Sequence, residues 1–162
     1  MSTPFSFRCN LTPPDLDRIR SMVESTGVFS PVEVECAVEL AQERLDEGPA
    51  SGYHFVFAER EGRVLGYACY GPIALTHGSY DLYWIAVDKS TQGQGLGRLL
   101  MEKVDELVRA EGGRRIYIET STRPPYAPTR AFYLRCDCRL EVVLEEFYAP
   151  GDDKAIYVRI VG

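Results

Sequence analysis

The chain has 162 residues, of which 45% are hydrophobic and 26% charged, and its formal net charge is −6. This length and composition suit one folded domain with a substantial core, and they exclude wholesale disorder. The acidic balance argues against a nucleic-acid-binding protein, which needs a clustered basic surface. It is compatible with cationic, amine-bearing substrates.

The amino terminus and the cysteines suggest a cellular setting. Residues 1–10 lack a basic start followed by an apolar segment, and no apolar run approaches the roughly 20 residues of a membrane span. We therefore expect a cytoplasmic protein that does not associate with membranes. The five cysteines include no C-x-x-C pair, so neither a disulfide framework nor a metal site is indicated. Cys136 and Cys138 invite a redox role, but small buried thiols are the commoner explanation.

The first third of the chain predicts one strand and two helices. Residues 5–9 alternate weakly, as a first strand would. Thr12 is predicted to cap the first helix, which ends at Gly27. The segment Ser30–Glu33 has the spacing of a capping box and opens a second helix that ends at Gly48.

The middle of the chain predicts a β-hairpin that leads into a buried strand. Residues 53–59 and 64–70 read as antiparallel partners around the turn Arg60-Glu61-Gly62-Arg63. A short apolar run, residues 82–87, then predicts a core strand. A polar cluster beginning at Asp88 ends it.

A glycine-rich segment, Gln92-Gly93-Gln94-Gly95-Leu96-Gly97, joins this strand to an amphipathic helix that ends at Gly112. Glycines before a first helical turn let backbone N–H groups approach a ligand. Those unpaired N–H groups, together with the helix dipole, make an anion site. A phosphate is the expected ligand, and the plain alternative is a tight strand-to-helix turn.

Three kinds of nucleotide-binding loop can be compared with this segment. The phosphate loop of nucleotide hydrolases ends in Gly-Lys-Ser/Thr, whereas Gly97 is followed by Arg98. The dinucleotide fingerprint needs two residues between its second and third glycines, whereas Leu96 alone separates Gly95 from Gly97. The segment does resemble the Q/R-x-x-G-x-G/A signature of the Gcn5-related N-acetyltransferase (GNAT) superfamily, which follows the fourth strand and opens the third helix.

The rest of the chain completes the element order of that superfamily. Residues 115–121 predict a strand parallel to, or beside, the preceding one, followed by a helix at about 128–136 and closing strands at 140–148 and 155–161. The order β-α-α-β-β-β-α-β-α-β-β implies one GNAT domain over residues 1–162. Its class is α/β (α+β), with four helices and a mixed, mostly antiparallel sheet of about six to seven strands. The closing segment resembles a bacterial branch whose substrates are generally unassigned.

The resemblance implies an acetyl-CoA-dependent N-acetyltransferase that acts by direct transfer in a ternary complex. Its acceptor would be a primary amine, on a small molecule or at a peptide amino terminus. The pyrophosphate of coenzyme A is expected on the glycine turn and its pantetheine arm beside the fourth strand. Coenzyme A contacts are expected from Ile85, Val87, Gln92, Gly93, Gln94, Gly95, Leu96, Gly97, Arg98 and Tyr126. At the last of these positions many members of the family carry Asn, so this contact departs from the usual pattern.

Three residues are candidates for proton transfer. Ala131-Phe132-Tyr133 matches the family segment that holds a tyrosine acid, and a phenol with a pKa of about 10 can protonate a departing thiolate. Structural packing is the alternative for Tyr133. Glu119 and Asp81 lie on the two strands that splay apart in this fold, and either is a candidate base. Alternatively, Glu119 pairs with an arginine and Asp81 lies in solvent; His54 and His77 are weaker candidates.

Asp137 and Cys138 depart from the usual family segment F-Y-x-x-x-G-F. The Gly of that segment ends the helix in a left-handed conformation, and Asp137 takes its place at a cost of roughly 1 kcal/mol. A shifted or strained helix end, with looser placement of Tyr133, is therefore expected.

Loop positions suggest an acceptor pocket lined by Phe29, Phe147 and Tyr148. Asp152 and Asp153 either add negative charge to it or form a solvated turn. Homodimerisation through the closing strands is frequent in the family. Two other functions stay open: a non-catalytic acyl-CoA sensor, and an interaction module in which the glycine turn is only structural.

Overall fold

The computed structural model describes residues 3–162, and within them the chain forms seven strands and four α-helices. The elements are β1 (Ser6–Arg8), α1 (Asp15–Ser25), α2 (Pro31–Glu47), β2 (His54–Arg60), β3 (Arg63–Pro72), β4 (Ser79–Val87), α3 (Leu96–Ala110), β5 (Arg115–Ser121), α4 (Ala127–Arg135), β6 (Arg139–Ala149) and β7 (Asp152–Ile160). The strands form a mixed sheet in the order β1-β2-β3-β4-β5-β7-β6. The predicted class and element order are confirmed. None of the described helices is both long and apolar enough to cross a bilayer.

The described chain divides into two compact units. The first contains residues 3–71 and Trp84–Val104, and the second contains Pro72–Tyr83 and Asp105–Gly162. The interpretation of the whole chain as one domain stays a prediction.

The core of the first unit lies where α1 and α2 pack with the β2–β3 hairpin. Each helix places its apolar stripe inward, as the 3.6-residue period predicts. The buried cluster comprises Ile19, Met22, Val23, Val34, Ala37, Ala41, Phe55, Phe57, Val64, Tyr67, Cys69 and Ala86. The burial of these apolar side chains stabilises the packing of both helices against the hairpin.

The two helix starts of the first unit differ in how well local sequence predicts them. The capping box of α2 is confirmed, because Ser30 Oγ accepts from the Glu33 N–H at 3.3 Å and the Glu33 carboxylate accepts from the Ser30 N–H at 3.0 Å. The predicted Thr12 cap of α1 is wrong. The Asp15 carboxylate turns back instead to accept from the N–H and the hydroxyl of Thr12, at 2.8 and 2.9 Å, and also binds Arg8. The helix therefore starts at Asp15.

The second unit is built on β5, which has a parallel and an antiparallel neighbour. Residues Ser79 to Leu82 of β4 run parallel to β5, and β7 runs antiparallel along its other edge. Because strand side chains alternate between faces, Tyr157 and Lys154 lie on opposite faces of this part of the sheet. The helix α4 covers the Tyr157 face, where the rings of Tyr133 and Tyr157 are 5.9 Å apart.

The end of α4 shows how the chain accommodates Asp137. This residue has a φ of 60°, the left-handed conformation that the family motif gives to glycine. The Cys138 N–H donates to the Tyr133 carbonyl at 3.1 Å, and the Asp137 N–H donates to the Leu134 carbonyl at 3.3 Å. These two bonds form a Schellman motif. The helix therefore ends at the motif position, so the expected shift of its end is wrong, while the left-handed Asp137 agrees with the alternative of a strained end.

The core of the first unit encloses a phenol that lacks a hydrogen-bond partner among the described residues. Tyr67 is fully buried against Phe55 and Phe57, and its hydroxyl contacts no polar atom there. Burial raises the pKa of this phenol well above its usual value. An enclosed hydroxyl without a partner costs free energy, because it gives up its hydrogen bonds to water.

We expect Tyr67→Phe to raise the free energy of unfolding by about 1 kcal/mol, because it removes this unpaired group. Urea denaturation would measure the change. The matched control is Tyr80→Phe, because the Tyr80 hydroxyl donates to Glu111 at 2.8 Å and its loss should destabilise the protein by about 1 kcal/mol. A loss of stability in Tyr67→Phe equal to that of the control would contradict the assignment.

Candidate active site

The glycine turn of the first unit adopts the backbone that only glycine accepts readily. Gly93 and Gly95 have φ angles of 83° and 79°, and a Cβ at either position would meet no atom within 4 Å. Backbone conformation, and not crowding, therefore requires glycine at these two positions. Gly97 lies inside the first turn of α3, where its φ is not positive.

This turn presents a run of unpaired backbone donors. Within the described residues, the N–H groups of Gly93, Gln94, Gly95, Leu96 and Gly97 donate to no acceptor. The first helical bond runs from the Leu99 N–H to the Gly95 carbonyl at 3.2 Å. Five successive donors at the positive end of a 15-residue helix suit an anion with several oxygens, such as a diphosphate.

An ion pair fixes the chain just before the turn. Asp88 is buried and accepts from Arg18 at 2.7 Å, while the Asp88 N–H donates to the Leu65 carbonyl at 2.8 Å. The Ser90 hydroxyl also donates to Asp88. The hydrogen bonds from Ser90 and Arg18 lower the pKa of Asp88 to about 2, although burial opposes this effect. Sequence reasoning missed this support, because Arg18 is distant along the chain and carries no motif.

The residues predicted to contact coenzyme A, several of them through the main chain, have varied side-chain environments. Gln92 lies 3.5 Å from the Val87 carbonyl, Gln94 accepts from Arg60 at 3.2 Å, and Arg98 pairs with Glu102 at 3.3 Å on the exposed side of α3. The side chain of Ile85, like that of Val87, is only partly buried. In the second unit, Tyr126 is buried at the start of α4, with the Arg123 guanidinium 5.8 Å from its ring centre.

One face of the second unit gathers both candidate bases. Asp81 is paired in register with Tyr117, and Glu119 with Ile156, so both carboxylates project to the Lys154 side of the sheet. The Lys154 ammonium binds the Glu119 carboxylate at 2.8 Å. The alternative that Glu119 pairs with an arginine is therefore wrong, because its ion-pair partner is a lysine.

Asp81 differs from Glu119 in having no such partner. Its carboxylate is half-buried and makes no hydrogen bond or ion pair within the described residues. Burial and the nearby Glu119 raise the pKa of Asp81, while Lys154 opposes the rise. The alternative that Asp81 lies in bulk solvent is therefore wrong, and its raised pKa makes the carboxylate a better proton acceptor than an ordinary aspartate.

Tyr133 lies on the other face of the second unit. Only 6% of its surface is exposed, and its hydroxyl has no hydrogen-bond partner among the described residues. Burial raises the pKa of this phenol above its usual range, and Cys138 and Cys136 add to the rise. The phenol therefore stays protonated at neutral pH, and its donor is unused.

A second buried ion pair holds the end of the helix that carries Tyr133. Arg159 on β7 donates to the Cys136 carbonyl at 2.6 Å and to Asp105 of α3 at 2.8 Å. Cys136 and Cys138 are buried and form no disulfide among the described residues. Burial is the main cause that raises the pKa of Cys138 to about 12. A thiol of this kind is a poor nucleophile, which favours structural packing over redox chemistry.

The predicted acceptor-lining residues lie in different units. In the first, Phe29 packs perpendicular to Trp84 with ring centres 4.9 Å apart. In the second, Phe147 and Tyr148 are about half exposed, and the Phe147 ring centre is 3.9 Å from the Lys154 ammonium.

Asp152 and Asp153, the two aspartates of the β6–β7 hairpin, both accept hydrogen bonds within the second unit. Asp152 accepts from the Ser121 hydroxyl and lies 3.5 Å from the Arg123 guanidinium. Asp153 accepts from the Glu146 N–H at 2.8 Å. Both carboxylates are thus engaged within the second unit, and neither belongs to a plain solvated turn.

Comparison with known proteins gives a consistent result. A sequence profile described as the Acetyltransferase (GNAT) family matches residues 19–137. A structure from Desulfovibrio desulfuricans assigned to the GNAT family of acetyltransferases is 50% identical, with a TM-score of 0.95, and the match covers 98% of this chain and 100% of that one. No curated protein matches the sequence.

More distant structures share the fold. The ribosomal-protein-S18-alanine N-acetyltransferase of Escherichia coli is 19% identical with a TM-score of 0.75, over 98% of this chain and 95% of that one. An aminoglycoside 6'-N-acetyltransferase complexed with coenzyme A is 14% identical with a TM-score of 0.76, over 99% and 98% of the two chains. The profile match and the 50% identical relative show that this chain belongs to the GNAT family of acetyltransferases.

Proposed function

We propose that this protein transfers the acetyl group of acetyl-CoA to a primary amine, by direct transfer in a ternary complex. The observation that carries the proposal is the run of five unpaired N–H groups from Gly93 to Gly97 at the start of α3. These donors fit the diphosphate of coenzyme A. The coenzyme A complex of a structural relative supports the same choice of cofactor.

Bound acetyl-CoA would supply an activated thioester carbonyl to the attacking amine. Asp81 or Glu119 accepts the proton that the amine loses when its nitrogen bonds to the carbonyl carbon. Tyr133 donates a proton to the sulfur as the carbon–sulfur bond breaks. Direct transfer is favoured over an acyl-cysteine route, because burial raises the pKa of Cys69, Cys138 and Cys36 and so disfavours their thiolates.

An ammonium group is the acceptor that suits the face of the second unit with Asp81, Glu119 and Lys154, here called the carboxylate face. Asp81, Glu119 and Lys154 together carry one net negative charge when all are ionised, which attracts a cation and can then take its proton. Relatives named for acting on aminoglycosides and on a protein alanine illustrate amine acceptors within this fold.

Thiol release from acetyl-CoA tests the proposal. The purified protein would be assayed with four amines: kanamycin, spermidine, an alanine-initiated peptide amide and n-butylamine. Turnover above the amine-free rate with at least one of them is expected. An acyl-CoA sensor would bind acetyl-CoA and release no thiol with any amine, and an interaction module would not bind acetyl-CoA at all.

We also infer that two copies of the chain pair through β6. This strand ends the sheet, so one backbone edge has no partner strand among the described residues, and all eleven of its residues are exposed. Antiparallel pairing of two copies along this edge would extend the sheet across both and bring together the exposed apolar side chains of Leu140, Val142, Val143 and Leu144. A long, exposed apolar edge strand calls for such a cover, since single chains normally protect their edges.

Val142→Lys is expected to convert the dimer into a monomer, because a lysine within the paired edge cannot be desolvated cheaply. Light scattering after size-exclusion chromatography gives the mass directly. Val32→Lys is the control, since Val32 is 79% exposed on α2 and away from β6 in the chain. A monomeric wild-type protein would refute the pairing.

A further inference from the structure

Lys154 is an unusual residue on the carboxylate face. Only 8% of it is exposed, although lysines are almost never buried unless they are paired. Its ammonium contacts the Glu119 carboxylate at 2.8 Å and lies 3.9 Å from the centre of the Phe147 ring. A carboxylate and an aromatic face together hold an ammonium firmly in place.

The lysine distinguishes between the two carboxylates. Glu119 is held in an ion pair, whereas Asp81 has neither a hydrogen bond nor an ion pair within the described residues. By register, the charged and titratable side chains on this face of the second unit are Asp81 and Tyr83 on β4, Arg115, Tyr117 and Glu119 on β5, Arg139 on β6, and Asp152 and Lys154 on β7. Of the three cations, Lys154 is the one that forms an ion pair with a candidate base.

We propose that Lys154 is a positioning residue: by pairing with Glu119 it withdraws that carboxylate from proton transfer and leaves Asp81 to accept the proton of the amine. This inference rests on the proposed acetyl transfer. It also decides between the two candidate bases, which local sequence leaves open.

The physical reason is the cost of placing two negative charges side by side. Without a cation, the repulsion favours proton uptake by either of two neighbouring carboxylates, and which one takes up the proton is not fixed. The Lys154 ammonium offsets this repulsion at Glu119 and holds that side chain in an ion pair. Burial and the nearby Glu119 raise the pKa of Asp81, which makes it a stronger base than an ordinary aspartate.

Carbon-13 NMR of the side-chain carboxyl groups tests the electrostatic part without any substrate. We expect Lys154→Met to raise the titration midpoint of Asp81 by roughly one pH unit, because it removes the cation that opposes protonation. Lys154→Arg should keep the midpoint within about 0.3 of wild type. In the double variant Glu119→Gln/Lys154→Met both charges are gone, so the midpoint should return toward the wild-type value. An Asp81 midpoint that is the same in wild type and Lys154→Met would overturn the proposal.

Kinetics with whichever of the four amines turns over fastest test the assignment of the base. Asp81→Asn should lower kcat at least about 100-fold with little change in the KM for acetyl-CoA, whereas Glu119→Gln should lower it less than about 10-fold. In Lys154→Met the acidic limb of the pH–rate profile should move to higher pH, and in Lys154→Arg it should stay in place. A greater loss in Glu119→Gln than in Asp81→Asn would make Glu119 the base and refute the assignment.

The two experiments separate the inference from the proposed function. Wild-type protein that releases no thiol with any of the four amines counts against acetyl transfer, and with it against a base role for Asp81. The NMR titration still decides whether Lys154 controls the protonation of the pair. Lys154→Arg and Glu119→Gln keep the test open if Lys154→Met does not fold.

Discussion

Replacement of both Gly93 and Gly95 by valine is expected to weaken acetyl-CoA binding at least about 100-fold. Both residues have positive φ angles, and a β-branched side chain in that region costs roughly 1–3 kcal/mol per position. The turn would relax to another backbone, and its N–H groups would no longer converge on one anion. Isothermal titration calorimetry of the variant beside wild type measures the loss.

Gly62→Val provides the matched control for this variant. Gly62 lies in the β2–β3 turn of the same unit, has a φ of 76°, and a Cβ there would also meet no atom within 4 Å. It should therefore show a comparable backbone strain and a similar loss of stability, yet bind acetyl-CoA as wild type does. Equal weakening of acetyl-CoA binding in the two variants would mean that general destabilisation, and not loss of the N–H groups of the glycine turn, explains the effect.

Tyr133→Phe is expected to lower kcat about 100-fold while leaving acetyl-CoA affinity unchanged. The hydroxyl has no partner among the described residues, so its removal breaks no contact that supports the fold. What is lost is the proton for the departing sulfur. Thiol release at saturating acetyl-CoA measures kcat, and calorimetry measures affinity.

Tyr157→Phe is the comparison for Tyr133→Phe, because the two rings pack together at 5.9 Å on the same face of the second unit. Its kcat should stay within roughly twofold of wild type. If Tyr133→Phe also retains more than a third of wild-type activity, Tyr133 is a packing residue and solvent protonates the leaving group.

Local signals predicted those parts of the molecule that are set by neighbouring residues. The capping box at Ser30 depends on hydrogen bonds within three positions, and the glycine turn after β4 depends on the positive φ angles of its own glycines. Asp137 illustrates the limit of such reasoning. The sequence predicts a cost at this position, whereas the structure shows that two backbone hydrogen bonds still form there.

Distant pairs escaped prediction, because no local rule selects their partners. Arg18 and Asp88 are 70 positions apart, and Lys154 lies 35 positions beyond Glu119. The start of α1 was mispredicted for the same reason, since Arg8 helps to draw Asp15 back toward Thr12. Such long-range ion pairs make candidate residues differ when local sequence cannot distinguish them. On the carboxylate face, the ion pair with Lys154 makes Glu119 differ from Asp81.

Acetyl transfer by this protein requires that the wild-type chain bind acetyl-CoA, and calorimetric titration of the purified protein with acetyl-CoA measures this binding. We expect saturable one-site binding in the micromolar range, abolished when Gly93 and Gly95 are replaced and preserved in Gly62→Val. Absence of binding to the wild-type protein would overturn the proposed function, because the glycine turn would then be only a structural connection between β4 and α3.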